Sequence, residues 1–273
     1  MTRRGSDGKL TEMTLDVRAR MSSPVTCGSP EATAAELIAL LETRGCSAVP
    51  IVSSERLLGI VSLTDLLRES LREAGGEARC AADFMRRPVV TVRPDEGLDA
   101  AARRMRSARV HRLVVVEEAG DGERVVGVLS TRDVLGELAR SRVPEASVAL
   151  ETLMTSPVET VDLSASVDEA VERLVEANVR GLVVVDVESP IGVFTQREAL
   201  ASRGLPASLR ARPVEEVMSY ETLCLDVATP LYRAAAHAAT MNVRRLLVVE
   251  RRRLVGIVSC LDLAGVMGAL TSA

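Results

Sequence analysis

The sequence predicts an α/β (α+β) fold assembled from four β-α-β-β-α repeats. Two observations carry this. A methionine-led extended stretch occurs four times, and each time the same helix, apolar run, glycine-containing run and final helical segment follow at near-constant spacing. Met21, Met85, Met154 and Met218 open "MSSPVTC", "MRRPVVTV", "MTSPVETV" and "MSYETLCL". Gly59, Gly127, Gly192 and Gly256 open "GIVSLTDL", "GVLSTRDV", "GVFTQREA" and "GIVSCLDL". Methionine and glycine stand 38 residues apart in the first, third and fourth copies and 42 apart in the second. The additional residues fall in "EEAGDGERV", a polar, glycine-containing turn where a hairpin lengthens without disturbing its strands.

Within a copy the elements follow from the change of period. "PVVTV" is extended, whereas "DEGLDAAARRMRSA" places Leu98, Ala101, Ala102 and Met105 on one helical face. The position after this helix holds Gly45, Arg109, Asn178 and Asn242 in the four copies. Gly and Asn tolerate the left-handed conformation that closes a helix, so copies one, three and four carry a C-cap signal. "VPIV", "LVVV", "LVVV" and "LLVV" are continuous apolar runs suited to strands covered on both faces. A turn, the glycine strand and a last helix complete the unit. One unit cannot cover its own small sheet, so neighbours are expected to pair. The expected repeats are 15–74, 79–142, 148–204 and 212–270, after a polar tail at 1–14 expected to be disordered.

Composition excludes several function classes. The aromatic residues are Phe84, Phe194, Tyr220 and Tyr232, with no Trp, which argues against surfaces that stack bases or sugars. A net charge of −4 argues against general nucleic-acid coating. Lys9 is the one lysine and stands outside any phosphate-loop pattern, so neither a P-loop nor a Schiff-base lysine in the body of the fold is expected. Cys27, Cys46, Cys80, Cys224 and Cys260 form no C-x-x-C pair. With His111 and His237 the only histidines, no metal site or disulfide framework is indicated. No apolar stretch reaches membrane-spanning length and no signal region opens the chain, so a cytoplasmic protein is expected. No nucleophile elbow, zinc-protease motif or dinucleotide fingerprint occurs, and no enzyme is expected.

The chemistry that remains sits where glycine strands become helices: Ser62-x-x-Asp65, Ser130-x-x-Asp133, Thr195-x-x-Glu198 and Ser259-x-x-Asp262. One reading is a capping box, in which hydroxyl and carboxylate satisfy free main-chain N–H groups of the helix start. The other uses the same geometry for a ligand, because a helix N-terminus with a hydroxyl seats phosphate and a carboxylate can accept two ribose hydroxyls. A second set of positions precedes the apolar runs: Ser47-Ala48, His111-Arg112, Arg180-Gly181 and Arg244-Arg245. It reads either as a solvated strand entrance or as a basic ligand contact. His237 reads as a helix-surface or core-edge residue, Tyr220 as filling a strand entrance, and Arg251–Arg253 as a solvated hairpin tip.

The lead-in methionine, the β-branched run and the closing Gly-apolar-apolar-Ser/Thr-x-x-Asp resemble the cystathionine β-synthase (CBS) domain. Four copies over about residues 15–270 resemble two tandem pairs, or Bateman modules, which implies repeats paired into two pseudo-symmetric modules, 15–142 and 148–270. The resemblance implies a non-enzymatic regulatory protein, an energy sensor, that binds adenine nucleotides of the AMP, ADP and ATP class in clefts between paired domains. No cofactor is obligatory, and Mg2+ accompanies the nucleotide in some cases. By resemblance Ser62, Ser130, Thr195 and Ser259 contact phosphate, while Asp65, Asp133 and Asp262 take ribose. Glu198 is one methylene too long, so the third site is the most doubtful. Ser47, His111, Arg112, Arg180, Arg244 and Arg245 face the cleft, and main chain near Val25, Val89, Val158 and Thr222 meets the adenine edge. The second and fourth copies carry the fullest motif, the first ranks next and the third last. A homodimer through the CBS modules and an unidentified protein effector are the expected partners, with neither nucleic acid nor membrane among them. The alternative is a nucleotide-free scaffold for dimerisation or docking, since every motif residue also has a capping role.

Overall fold

A computed structural model of the chain describes residues 15–72, 79–120, 122–141, 148–241 and 243–270. The tail at 1–14 and the helix closure expected at Asn242 lie outside these residues.

The first repeat contains α1 (Ala34–Thr43), the hairpin β1 (Ala48–Ser53) and β2 (Arg56–Ser62), and α2 (Leu63–Arg72). The second contains α3 (Ala81–Phe84), β3 (Thr91–Val92), α4 (Leu98–Ser107), β4 (Arg112–Ala119), β5 (Gly122–Ser130) and α5 (Thr131–Ser141). The third contains β6 (Thr160–Asp162), α6 (Val167–Glu176), β7 (Gly181–Asp186), β8 (Ser189–Thr195), α7 (Gln196–Arg203) and α8 (Ala207–Arg210). The fourth contains β9 (Cys224–Asp226), α9 (Leu231–Met241), β10 (Arg245–Glu250), β11 (Arg253–Ser259) and α10 (Cys260–Leu270). The β-α-β-β-α order is thus present, with one shortfall. In the first repeat the opening stretch pairs with β1 only through the single bridge Gly28–Ile51.

The expected helix closures are present at Gly45 (φ 60°) and Asn178 (φ 51°). Arg109 (φ 52°) adopts the same left-handed conformation without the residue type that favours it. The repeat's geometry, here, overrides local preference. The inner strands β1, β7 and β10 are buried at three successive positions, as their apolar runs require.

Two kinds of pairing hold the four repeats together. Through strands, repeat one joins repeat two in a five-stranded sheet of order β1-β2-β5-β4-β3, linked at Arg56–Arg124. The hairpins of repeats three and four meet at the equivalent place, where Leu254 N–H donates to Glu188 O (3.5 Å) and Arg253 pairs with Glu188 (3.0 Å). Through helices the partners change. One core joins repeats one and three, including Leu37, Leu66, Leu174 and Phe194; the other joins repeats two and four, including Met105, Leu135, Leu246 and Leu263. The helical faces that would otherwise be left open therefore cover one another within one chain.

The lead-ins cross between neighbours. Val17 and Ala81, which precede the first two repeats' own strands, are buried in the cores containing repeats two and one, respectively. Leu150 and Val214 make the same exchange between repeats three and four. Met21 lies over Gly127, Met85 over Gly59, Met154 over Gly256 and Met218 over Gly192. A Cβ on Gly127, Gly192 or Gly256 would stand 2.5, 2.6 or 2.5 Å from the methionine sulfur. The conserved spacing of methionine and glycine therefore records contacts between copies rather than within one.

Candidate functional site

Each closing motif turns its carboxylate back onto its own helix start, and at Thr195 and Ser259 the hydroxyl also accepts a main-chain N–H, which completes the capping box. Ser62 N–H and Oγ donate to Asp65 Oδ2 (3.0 and 2.5 Å), and Ser130 N–H and Oγ to Asp133 Oδ2 (both 2.7 Å). Ser259 N–H and Oγ donate to Asp262 Oδ2 (3.0 and 2.5 Å). Thr195 makes the same pair of bonds to Glu198 Oε2, its N–H at 2.9 Å. The longer Glu198 reaches its cap as well as the aspartates do. One carboxylate oxygen of each motif is thereby committed to its own helix start. Among the described residues, Oδ1 of Asp133 and of Asp262 accepts no hydrogen bond, whereas Asp65 Oδ1 accepts Arg86 Nε at 2.6 Å.

Because the lead-ins are exchanged, a cleft draws on two repeats. Ser22 bridges Val128, two residues before Ser130, and the chain then turns into Val25. Val25, Val52, Val125 and Val126, with Pro24 and Cys27, line an open cleft of about 410 Å³ between repeats one and two. Its apolar lining is aliphatic, as the scarcity of aromatics requires. Val89, Val158 and Thr222 occupy the corresponding opening stretches of their repeats and are half-buried. Tyr220 departs from expectation. It is 62% exposed and fills no strand entrance.

The strand-entrance positions converge. Arg112 is half-buried, and its basicity is lowered first by burial and then by nearby Arg132 and Arg197. One of its guanidinium nitrogens donates to Ser47 Oγ. Arg244, although its side chain reaches solvent, is pushed down to about 10 by partial desolvation and by Arg112, Arg197, Arg132 and Arg245. Arg245 is pushed down to about 10, chiefly by burial and then by Arg180. Gly181 leaves room for it, since a Cβ there would stand 3.3 Å from an Arg245 guanidinium nitrogen. His111 is lowered to about 3 by burial and by Arg180, Arg245, Arg112 and Arg244, so it is a neutral imidazole at physiological pH and adds no charge.

Arg244 thus stands near Arg112 and Arg245 near Arg180, and His111 lies near all four, which come from repeats two, three and four. Two members, Arg132 and Arg197, escape sequence reasoning. Each is the second x of Ser/Thr-x-x-Asp/Glu, at a helix start, and arginine is too abundant in this chain for one more to stand out. Asp133 lies near Arg112 and Glu198 near Arg245, and both carboxylates already serve as caps. The arrangement is a concentration of guanidinium groups that repel one another, with hydroxyls and helix starts beside them. Such a set binds anions bearing several oxygens, phosphates above all.

Burial pushes the Cys260 thiol up to about 11, which keeps it protonated and a poor nucleophile. Among the described residues no group of three or more His, Cys, Asp or Glu side chains could hold a metal ion, and no helix is long and apolar enough to cross a membrane.

The CBS-domain family model matches residues 16–72, 81–140, 150–203 and 214–269. Protein MJ1404 of Methanocaldococcus jannaschii is 27% identical over 169 residues, covering 57% of this chain and 39% of its own length. MJ1225 of the same organism is 29% identical over 198 residues, covering 66% of this chain and 69% of the relative. Its crystal structure superposes with a TM-score of 0.78 at 16% identity, covering 92% of this chain and 99% of that one. A conserved protein from Pyrococcus horikoshii superposes with a TM-score of 0.65 at 21% identity, covering 93% of this chain and all (100%) of that one.

Proposed function

Because the chain belongs to the CBS-domain family, with four copies closed on one another, we propose that it is a non-enzymatic regulatory protein that senses adenine nucleotides. The observation that carries this reading is that Arg112, Arg180, Arg244 and Arg245 all stand near His111, with Arg132 and Arg197 near Arg112 and Arg244; Arg112, Arg197 and Arg245 are half-buried and the other three exposed. Holding like charges together, three of them half-buried, costs stability, and a nucleotide's phosphates would offset that cost. The nucleoside would extend outward into a cleft such as the one lined by Val25, Val52 and Val126, with main chain at its base edge. The free Oδ1 of Asp133 or Asp262 would accept the ribose hydroxyls. Unequal affinity for two arrangements of the paired repeats would then turn occupancy into a signal for a protein effector. AMP, ADP and ATP, the last with or without Mg2+, are the ligands to try first.

The second reading, a scaffold without nucleotide, draws on the four carboxylates turned onto their own helix starts. In either reading, a homodimer would need surfaces other than the helical faces already covered within the chain. Thermal unfolding with AMP, ADP, ATP and adenosine separates the two. At about a hundred times the dissociation constant a nucleotide raises stability by about 2.7 kcal/mol per site. Nucleotides are expected to stabilise and adenosine to do so less. An unchanged melting temperature with every ligand leaves the scaffold.

A further inference from the structure

The residue after each lead-in methionine is Ser22, Arg86, Thr155 or Ser219. These bridge Val128, Ile60, Ile257 and Val193, each two residues before the Ser or Thr of the neighbouring repeat's closing motif. Four equivalent positions therefore stand beside four equivalent carboxylates, and one of them holds an arginine. Arg86 Nε donates to Asp65 Oδ1 at 2.6 Å, while Asp65 Oδ2 accepts Ser62 N–H and Oγ. Asp65 is 7% exposed, so both of its oxygens are occupied and little of it faces solvent. Arg180 from repeat three adds a second positive charge beside the pair.

We propose that Arg86 is a specificity-determining residue that closes the Asp65 cleft to ribose, leaving nucleosides to the clefts served by Asp133 and Asp262. The inference rests on the nucleotide reading for what occupies the other clefts. The charge-assisted bond from a guanidinium outcompetes neutral ribose hydroxyls for the same oxygen. Pulling Arg86 away would leave a buried carboxylate short of its partner. Sequence ranking by motif completeness places this cleft third. Its closure depends instead on a residue contributed by the next repeat.

Equilibrium dialysis of the full chain with labelled AMP at saturation tests the assignment. Arg86→Ser, which copies the Ser22 and Ser219 positions, is expected to bind one more AMP per chain than the wild type. Arg86→Ser/Asp65→Asn should lose that gain, and Asp65→Asn alone should match the wild type. Arg86→Gln replaces the serine variant if circular dichroism shows the latter unfolded. A drop of one AMP in Asp65→Asn alone, or no gain in a folded Arg86 variant, overturns the proposal. If the wild type binds no AMP, the nucleotide reading fails for that ligand. The Arg86 assignment is then still decided by whether the variant gains a site.

Discussion

Met21 lies over Gly127, with its Cγ 3.1 Å and its sulfur 2.5 Å from where a Cβ on that glycine would stand. The two residues belong to different repeats, and the contact recurs at Met85–Gly59, Met154–Gly256 and Met218–Gly192. Alternating exchange of lead-ins means that neither member of a pair has a complete core alone.

Gly127→Ala is accordingly expected to destabilise the chain by about 1–3 kcal/mol, the usual cost of overpacking a filled site. Met21→Ala will also destabilise, by opening a cavity. Combined, the two should cost less than the sum of the single effects, because the shortened side chain gives the new methyl room. Urea unfolding of the four proteins measures the coupling. Additivity within about 0.5 kcal/mol would show that the glycine is present for another reason.

Repulsion among the guanidinium groups makes the second prediction. Arg245 is half-buried and stands near Arg180, with Glu198 its nearby carboxylate. Arg245→Met removes a desolvated charge while retaining much of the apolar stem. The unliganded variant should melt higher than the wild type, and stabilisation by inorganic phosphate or ATP should shrink. Added sodium chloride should stabilise the wild type more than the variant, since screening relieves repulsion. A variant that melts lower and responds to phosphate as the wild type does would contradict an anion role.

Asp133 separates cap from ligand contact. Its Oδ2 holds Ser130 N–H and Oγ, and Asp133→Ala is expected to cost about 0.5–2 kcal/mol without ligand. Glu198→Ala should cost a similar amount, because Glu198 makes the same cap. The two should differ in nucleotide response, which Asp133→Ala reduces and Glu198→Ala leaves close to wild type. Equal responses would reduce both residues to caps.

Much of the fold is legible from period and spacing. The apolar runs at Val49–Ile51, Leu182–Val184 and Leu246–Val248 become inner strands, and the helix-closing Gly45 and Asn178 adopt left-handed backbone. What the residues do not disclose is between-copy geometry. Repetition gives each copy the same pattern, so nothing in it indicates that Met21 serves repeat two or that repeat one's core is shared with repeat three. The same limit applies to the site. Arg112 and Arg244 stand out beside their apolar runs, but Arg132, Arg197 and Arg86 acquire meaning only when separate repeats are brought together. Tyr220 misleads in another way: expected to fill a strand entrance, it points into solvent, 62% exposed.

His111 makes the final prediction, on pH. Burial and four surrounding arginines lower it to about 3 in the folded chain, against an ordinary value near 6.5. Between these values the unfolded chain takes up a proton that the folded chain refuses, so this contribution to stability is complete above about pH 6.5 and falls as pH falls. The slope from one proton reaches at most about 1.4 kcal/mol per pH unit. From about pH 6.5 to 5 most carboxylates stay ionised, and His111→Gln should flatten the stability curve there relative to the wild type. Denaturant titrations across that window measure the difference. Phosphate at the cluster would counter the surrounding positive charge and raise the His111 value, so saturating phosphate should also shallow the wild-type slope. Parallel curves for wild type and variant would mean that His111 is not held neutral.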